Sequence, residues 1–528
     1  MSLYINKTRL LDYLIRIQAP IFLLVIILYE SGTRGLYFFD SSIVFNYGWE
    51  VYRHKIWGED FFSPLLPLVG YLVSAGFRTF GISYLSAVYV NILVAIIFYY
   101  SVSALIVSDK VTKVTHAFIF TYLVFGAWGI PAYNNISEAL VILLLLLALR
   151  GGESADNKTD VFLKAALLFL LTTNKLFTGF IWTGLLCLIE IVPFFPLRSK
   201  FRYFLALRNS SAYIFIGLIL PSLLFGIENI GSSLYLGANL QALFNNFVSS
   251  LAPAKSIFSI PEINLVWITL YFAIFFIRSA NRLFFGHYVI AAGLIGHTLM
   301  YVFSGDTRSI DLAFIVLVIF IIEKKCSGEN VLLSSSSRYS NASIATIISI
   351  CIFSFVYGYY GMRKAQNELS EYIDRSNLNL VKINSDGSFF NGVRVNFADS
   401  EMIKEIDMVL ADHNGKKIFF GPGLEILYPA TKNDQPDKWP IWLHKGVSYN
   451  IKSEERMKES FSNKAYDLLV VSNSRMKMGF LDFLEKEIGR NYKLIFTGKY
   501  ISLYERKIDE GSGGASIQAD ASGLKSRP

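Results

Sequence analysis

The chain has 528 residues, of which 53% are hydrophobic and only 17% charged. A soluble domain is usually about a quarter charged. The shortfall lies in residues 1–362, which contain long apolar runs such as 21–29, 139–148 and 312–322. The formal net charge is +8, and most of the Lys and Arg residues in this part lie in short loops between apolar segments. This pattern indicates membrane topology and anionic lipid head groups as partners, and it argues against nucleic acid.

The apolar segments predict a polytopic α-helical membrane protein. A hydrocarbon core of about 30 Å requires roughly 20 apolar residues in each spanning helix. We predict about 11 spans, at residues 10–30, 82–108, 113–131, 134–150, 160–174, 176–196, 210–226, 264–278, 284–303, 307–323 and 342–361. The first span is predicted to be retained, because no small-residue cleavage site precedes Glu30.

Loop charge predicts the orientation of these spans. If residues 64–80 lie at the surface without spanning, Lys110, Arg150, Lys158 and the basic stretch 198–208 all fall on the cytoplasmic side. The N-terminus is then cytoplasmic, while the first loop and everything after residue 362 lie outside. The first loop comprises residues 31–81. Together with the absence of cysteine after residue 351, this favours a bacterial inner membrane with a periplasmic C-terminal domain.

The sequence pattern of residues 363–507 predicts a soluble α/β domain. Helical patterns at 400–411, 453–462 and 479–489 alternate with strand patterns at 417–420, 467–472, 492–496 and 500–504. The irregular stretch 428–449 carries Trp439, Trp442 and His444, and it is either a substrate-binding loop or a packed cap over the membrane part. Residues 508–528 are Gly-, Ser- and Ala-rich, which predicts a disordered tail.

Two carboxylates stand out at predicted outer helix ends. Asp40 follows an aromatic run at the membrane edge, where partial desolvation would make it a better base. The alternative is an N-cap before Ser41 and Ser42. Glu138 lies just inside an apolar helix, where an ionisable residue is a functional candidate. Its alternative is a first-turn glutamate favoured by the helix dipole.

Two cations complete the set. Lys175 lies in a tight hairpin between apolar runs, and Arg308 lies at the start of a later helix. The positive-inside rule disfavours positive charges on the outer side of the membrane. Binding of an anionic lipid phosphate is one function that would explain these two cations there. The alternative for Arg308 is a local pair with Asp306 or Asp311. Glycosyl transfer from a lipid phosphate needs this combination, with a cation for the leaving phosphate and a carboxylate to deprotonate the acceptor.

The first loop resembles that of GT-C glycosyltransferases, in particular the bacterial group related to protein O-mannosyltransferases and lipid A aminoarabinose transferases. The resemblance is carried by Asp40, then the segments 58–62 and 64–67, then Phe80-Gly81 before the next helix. It implies a polyprenyl-phosphate sugar donor and a soluble C-terminal domain on the active-site face. It also implies Asp40 as catalytic base and Glu138 as second acid.

The resemblance further implies roles for cations. Lys175 and Arg308 would bind the donor phosphate, with Arg53, His54 and Lys55 as further candidates. As residues that bind the acceptor or substrate we predict Asp60, Tyr133, Asn134, Trp439, Trp442 and His444. The family's usual acidic pair is here Asp40-Ser41, so no metal site and no cofactor are predicted, although a divalent cation stays open.

Three functions remain as hypotheses from the sequence. The leading one is an inverting glycosyltransferase that moves a sugar to a hydroxyl of a lipid, glycan or protein acceptor. A membrane transporter or lipid flippase is the second, although transporters usually show internal repeats and charges at the membrane midplane. The third is a non-catalytic membrane receptor or assembly protein whose outer domain binds a partner.

Overall fold

The structure is a computed structural model. It describes residues 7–34, 38–63, 67–106, 110–126, 129–150, 157–191, 200–225, 380–385, 387–413, 415–441, 443, 451–473 and 482–507. The four predicted spans after residue 226 and the predicted tail lie outside these residues.

The described N-terminal part is mostly helical. Its helices are α1 (Lys7–Thr33), α2 (Phe38–Tyr52), α3 (Leu68–Phe80), α4 (Tyr84–Leu105), α5 (Lys110–Phe125), α6 (Tyr133–Arg150), α7 (Lys158–Asn174), α8 (Leu176–Ile191) and α9 (Lys200–Ile214). A π-helical turn (Phe215–Ile219) joins α9 to α10 (Leu220–Leu224), just before Pro221 takes the second position of α10. The strand β1 (Phe61–Phe62) lies between α2 and α3.

Two of the described helices, at Tyr84–Leu105 and Tyr203–Leu224, are long and apolar enough to cross a membrane. Four further apolar stretches are shorter, at Gln18–Thr33, Lys113–Phe125, Tyr133–Leu149 and Leu176–Ile191. The helices from α4 to α10 fall where the sequence predicts spans. The structure does not test the total of about 11 spans, which stays a prediction.

The ends of the described helices alternate between two sides. Ser31 near the end of α1 donates a hydrogen bond to the carbonyl of Gly126 after α5. Asn174 at the end of α7 donates to the carbonyl of Tyr133, which begins α6. Arg394 of the C-terminal region lies 2.5 Å from Glu30. We call this end of the bundle the domain side, and the opposite end the basic side.

Helices α2 and α3 form a close pair within the first loop. The Cβ that an alanine would place at position 48 would overlap Cγ1 of Val73, so only glycine allows this approach. Gly70 meets the ring of Tyr47 in the same way. The structure corrects the N-cap interpretation of Asp40, because residues 38–40 are already helical and Asp40 therefore lies within α2.

The C-terminal region has the predicted α/β character. Its helices are α11 (Phe397–Ala411), α12 (Leu427–Thr431), α13 (Ile451–Lys464) and α14 (Asp482–Asn491), and β2 (Val381–Lys382) pairs with β3 (Arg394–Val395). The main sheet has the order β4-β6-β8-β7, formed by Ile418–Phe420, Leu468–Ser472, Ile501–Arg506 and Tyr492–Thr497. Strand β4 is parallel to β6, and the other pairs are antiparallel. The buried strand β6 forms the centre of this core.

The C-terminal region packs directly on the first loop. The strand β5 (Trp439–Pro440) runs parallel to β1, with Phe61 opposite Trp439. The side chain of Asn46 donates to the carbonyl of Ile441, and Trp49 Nε1 donates to the carbonyl of Asn433, both at 2.9 Å. For the described part of the stretch 428–449, the structure therefore supports the packed-cap interpretation. The predicted boundaries at residues 362 and 507 remain predictions.

Candidate functional site

The hairpin between α7 and α8 brings a lysine to the start of α6. Lys175 is the single residue between these two helices, with an extended backbone. Its Nζ donates to Asn134 Oδ1 at 3.1 Å and lies 5.5 Å from the ring centroid of Tyr133. Three candidates from the sequence, Lys175, Tyr133 and Asn134, are therefore in direct contact at the domain side.

Glu138 lies one turn deeper on α6. It is the sixth residue of the helix and 2% exposed. The first-turn interpretation of Glu138 is therefore wrong. A carboxylate at this depth has lost most of its hydration, and such burial must be offset by specific partners or by function.

A hydrogen-bond network of amides and a hydroxyl joins the end of α7 to the start of α6. Asn174 Nδ2 donates to the carbonyl of Tyr133 at 2.6 Å and to Ser137 Oγ at 2.9 Å. Asn135 is completely buried in the same turn of α6. Asn174, Asn135 and Ser137 are not among the site residues that the sequence predicts. The signal that could find them is the concentration of amides and hydroxyls at facing helix ends, where an apolar bundle offers few other partners.

One face of α2 belongs to the same buried cluster as these helix ends. Ile43 and Tyr47 belong to a buried cluster with Leu176 of α8, and Tyr133 packs against that cluster. At 3.6 residues per turn, position 40 falls on the same face of α2 as positions 43 and 47. The helix that carries Asp40 therefore contributes this face to a cluster that includes the start of α8 and has the start of α6 at its edge.

The cations at the other end of α2 are already paired. Arg53 forms an ion pair with Asp434 and lies over the ring of Trp49. Lys55 Nζ lies 2.8 Å from Glu50 and 3.2 Å from Asp437. Both side chains therefore join the first loop to the C-terminal region, and their binding of the donor phosphate stays a prediction.

His54 and Asp60 also have local structural roles. His54 has a left-handed backbone at φ 64°, and its ring lies 3.4 Å from the guanidinium of Arg78. Asp60 accepts a hydrogen bond from the backbone N–H of Ile56 at 2.8 Å, which closes the turn before β1.

Of the tryptophan and histidine candidates in the C-terminal region, one lies within the described residues and two lie outside them. Trp439 is 1% exposed and packs edge-on against Phe419, so it is a core residue and its predicted contact with substrate is corrected. Trp442 and His444 lie outside the described residues, as does Arg308. Within the described ranges, no group of three or more His, Cys, Asp and Glu side chains is placed to hold a metal ion.

Comparison with known proteins identifies similar solved structures. No protein-family model matches the chain, and no curated protein matches it. ArnT from Cupriavidus metallidurans bound to undecaprenyl phosphate is 10% identical, covers 93% of this chain and 98% of its own, and gives a TM-score of 0.39. The same protein in the apo state gives 0.43, with 10% identity over 92% of this chain and 97% of its own.

A second similar protein is archaeal. The apo oligosaccharyltransferase of Archaeoglobus fulgidus is 10% identical over 93% of this chain and 74% of its own, with a TM-score of 0.42. Both proteins are GT-C enzymes, the group that the first loop resembles. At these TM-scores neither structure supplies a mechanism for this chain, so the function proposed for it rests on its own residues.

Proposed function

We propose that this protein is an inverting glycosyltransferase that moves a sugar from a polyprenyl-phosphate donor to an acceptor hydroxyl on the domain side of the membrane. One observation carries the proposal. A lysine between two helices, a buried carboxylate one turn inside a third, and the Asp40 face of α2 meet at one end of an apolar bundle. Charged groups inside apolar helix bundles are costly and usually functional.

Lys175 is the proposed phosphate ligand. As the sugar–phosphate bond breaks, its electron pair passes to the phosphate oxygen, and a nearby cation stabilises that charge. The contact between Lys175 Nζ and Asn134 Oδ1 at 3.1 Å supports this role, because it fixes the ammonium at the helix ends. In the proposal Arg308 is a second phosphate ligand.

Asp40 is the proposed base. The acceptor oxygen attacks the anomeric carbon on the face opposite the phosphate while its proton passes to the Asp40 carboxylate, which inverts the configuration. Glu138 is the proposed second acid, which holds the lysine and the sugar hydroxyls in place. Tyr133 and Asn134 complete the wall of the donor site.

The proposal also includes orientation and location. The domain side is the outer face of a bacterial inner membrane, with Lys110 and Lys158 at helix ends on the cytoplasmic side. That assignment follows the positive-inside rule. The donor head group and the C-terminal domain then share one compartment.

Donor dependence tests the proposal. Wild-type protein in membranes that contain acceptor is expected to transfer radiolabel from at least one of a panel of polyprenyl-phosphate sugars. Lys175→Gln is expected to raise the KM for the donor about tenfold or more, because one charge-assisted phosphate contact is lost. Lys158→Gln, at the other end of α7, is the matched control and keeps the wild-type KM. Equal KM values for all three proteins would contradict the assignment of Lys175.

A further inference from the structure

A cavity of about 520 Å³ opens where the first loop meets the C-terminal region. Its walls come from the end of α2, the end of α11, the start of β4, the segment after α12 and the segment after α13. The volume lies within the range of small-ligand sites, about 300–1,000 Å³. None of the residues of the proposed transfer site lines this cavity.

The lining of the cavity is strongly basic. Five Lys and Arg side chains face one carboxylate, and the residues are Arg53, Lys416, Lys417, Lys432, Lys464 and Asp434. His413 adds a further nitrogen donor. A net excess of positive charge in a partly enclosed space favours a multiply charged anion.

The single carboxylate and some of the cations are already engaged. Asp434 pairs with Arg53 and lies 3.9 Å from Lys464 Nζ. Lys416 pairs with Glu505 at 3.0 Å on the sheet. Lys417 and Lys432 are exposed and make no ion pair with any residue in the described ranges. These two ammonium groups are therefore available to a ligand.

Two further observations support a site here. Lys432 has a left-handed backbone at φ 56° after α12, where glycine or asparagine is usual and a longer side chain is strained. Burial, together with nearby Lys55 and Arg53 and against the opposing carboxylates of Asp437 and Glu50, lowers the pKa of Lys464 to about 8. The positive charges near the cavity therefore disfavour the protonated form of Lys464.

We propose that this cavity binds a phosphate group, either free in solution or carried by a lipid head group. Several point-charge lysines around one space suit a compact dianion better than a single carboxylate. Arg53 follows Asp40 by 13 residues along α2, or about 20 Å at 1.5 Å per residue, so the cavity is separate from the proposed transfer site. Its occupancy does not depend on glycosyl transfer.

Binding measurements on the full-length protein test the proposal. The probes are inorganic pyrophosphate, followed by calorimetry in detergent, and phosphatidic acid, followed by thermal melts in nanodiscs with phosphatidylcholine nanodiscs as reference. The double variant Lys417→Gln/Lys432→Gln is compared with Lys458→Gln/Lys486→Gln, two exposed lysines outside the cavity that give the same charge change. Melts without probe establish that both variants are folded.

The expected result is binding by wild type and by the control pair, and about tenfold or weaker binding by the cavity variant. A response to pyrophosphate assigns the site to soluble phosphates, and a response to phosphatidic acid alone assigns it to a lipid head group. Failure of both probes to bind wild type would overturn the proposal. So would equal binding by the cavity variant and the control pair.

Discussion

Glu50 is a completely buried acid of the first loop. Its side chain is 0% exposed, and its partner is Lys55, with Nζ at 2.8 Å. Burial raises the pKa of Glu50, and the neighbouring Lys55 and Arg53 oppose that rise. Because Lys55 also reaches Asp437, this one lysine connects α2 to the C-terminal region.

Replacing Lys55 with glutamine is expected to lower the free energy of unfolding by about 3 kcal/mol, because Glu50 is left buried without its cation. The loss should be larger at pH 8 than at pH 5. With a native pKa above the ordinary 4.5, Glu50 binds a proton more tightly in the folded state, so stability falls as pH rises through that window. Thermal melts at the two pH values measure both effects.

The control for this prediction removes the acid as well. Glu50→Gln/Lys55→Gln is expected to melt above the single variant and to lose the added pH dependence. A single variant that melts like wild type at both pH values would show that the pair does not stabilise the interface.

At the scale of elements, the α2–α3 pair positions the proposed base. Gly48 and Gly70 let the two helices approach closely, and Ile43 and Tyr47 place α2 in one buried cluster with the start of α8. A shift of α2 would therefore move Asp40 relative to Lys175. The transfer rate depends steeply on the relative position of the reacting groups, so a small displacement of the base lowers catalytic efficiency.

Gly48→Ala is expected to destabilise the protein by about 2 kcal/mol, because the added Cβ would overlap Val73 and force the helices apart. Transfer activity should fall with it. Gly184→Ala in α8 is the matched control, since no heavy atom lies within 4 Å of its added Cβ, and it should gain up to about 1 kcal/mol of helix propensity. Melting temperatures and transfer rates of the two variants check this. A Gly48→Ala protein as stable and active as Gly184→Ala would contradict the role of the close pair.

Elements are easier to predict from this sequence than contacts. Hydrophobic runs locate α4 to α8, and turn residues locate the strands of the C-terminal sheet, because both signals are local. The pattern places α2 and α3 in the first loop and leaves residues 64–80 to span or to lie at the surface, because their close pairing is a tertiary contact. Arg53 and Lys55 resemble substrate ligands in the sequence, because their partners Asp434 and Asp437 lie more than 370 residues away along the chain.

At the scale of the whole molecule, the charged and the apolar surfaces lie at different positions along the axis of the helix bundle. The exposed residues Leu93, Ile97 and Tyr100 form a stripe on α4 at helical spacing, as expected for a surface that faces lipid. Lys110, Arg150 and Lys158, three of the basic residues used to predict the orientation, lie at the opposite helix ends from Arg394. The proposed donor site lies between the lipid-facing bundle and that sheet, where a lipid-linked sugar phosphate would meet water.

The most direct test of the proposed mechanism is the transfer rate of Asp40→Asn at saturating donor, with donor binding measured on the same preparation. A base role for Asp40 predicts donor binding close to wild type and a transfer rate lower by about 100-fold or more, because the acceptor proton has no carboxylate to receive it. Folding is matched to wild type by thermal melt. Wild-type transfer rates in the variant would remove Asp40 from the mechanism and contradict its role as the base.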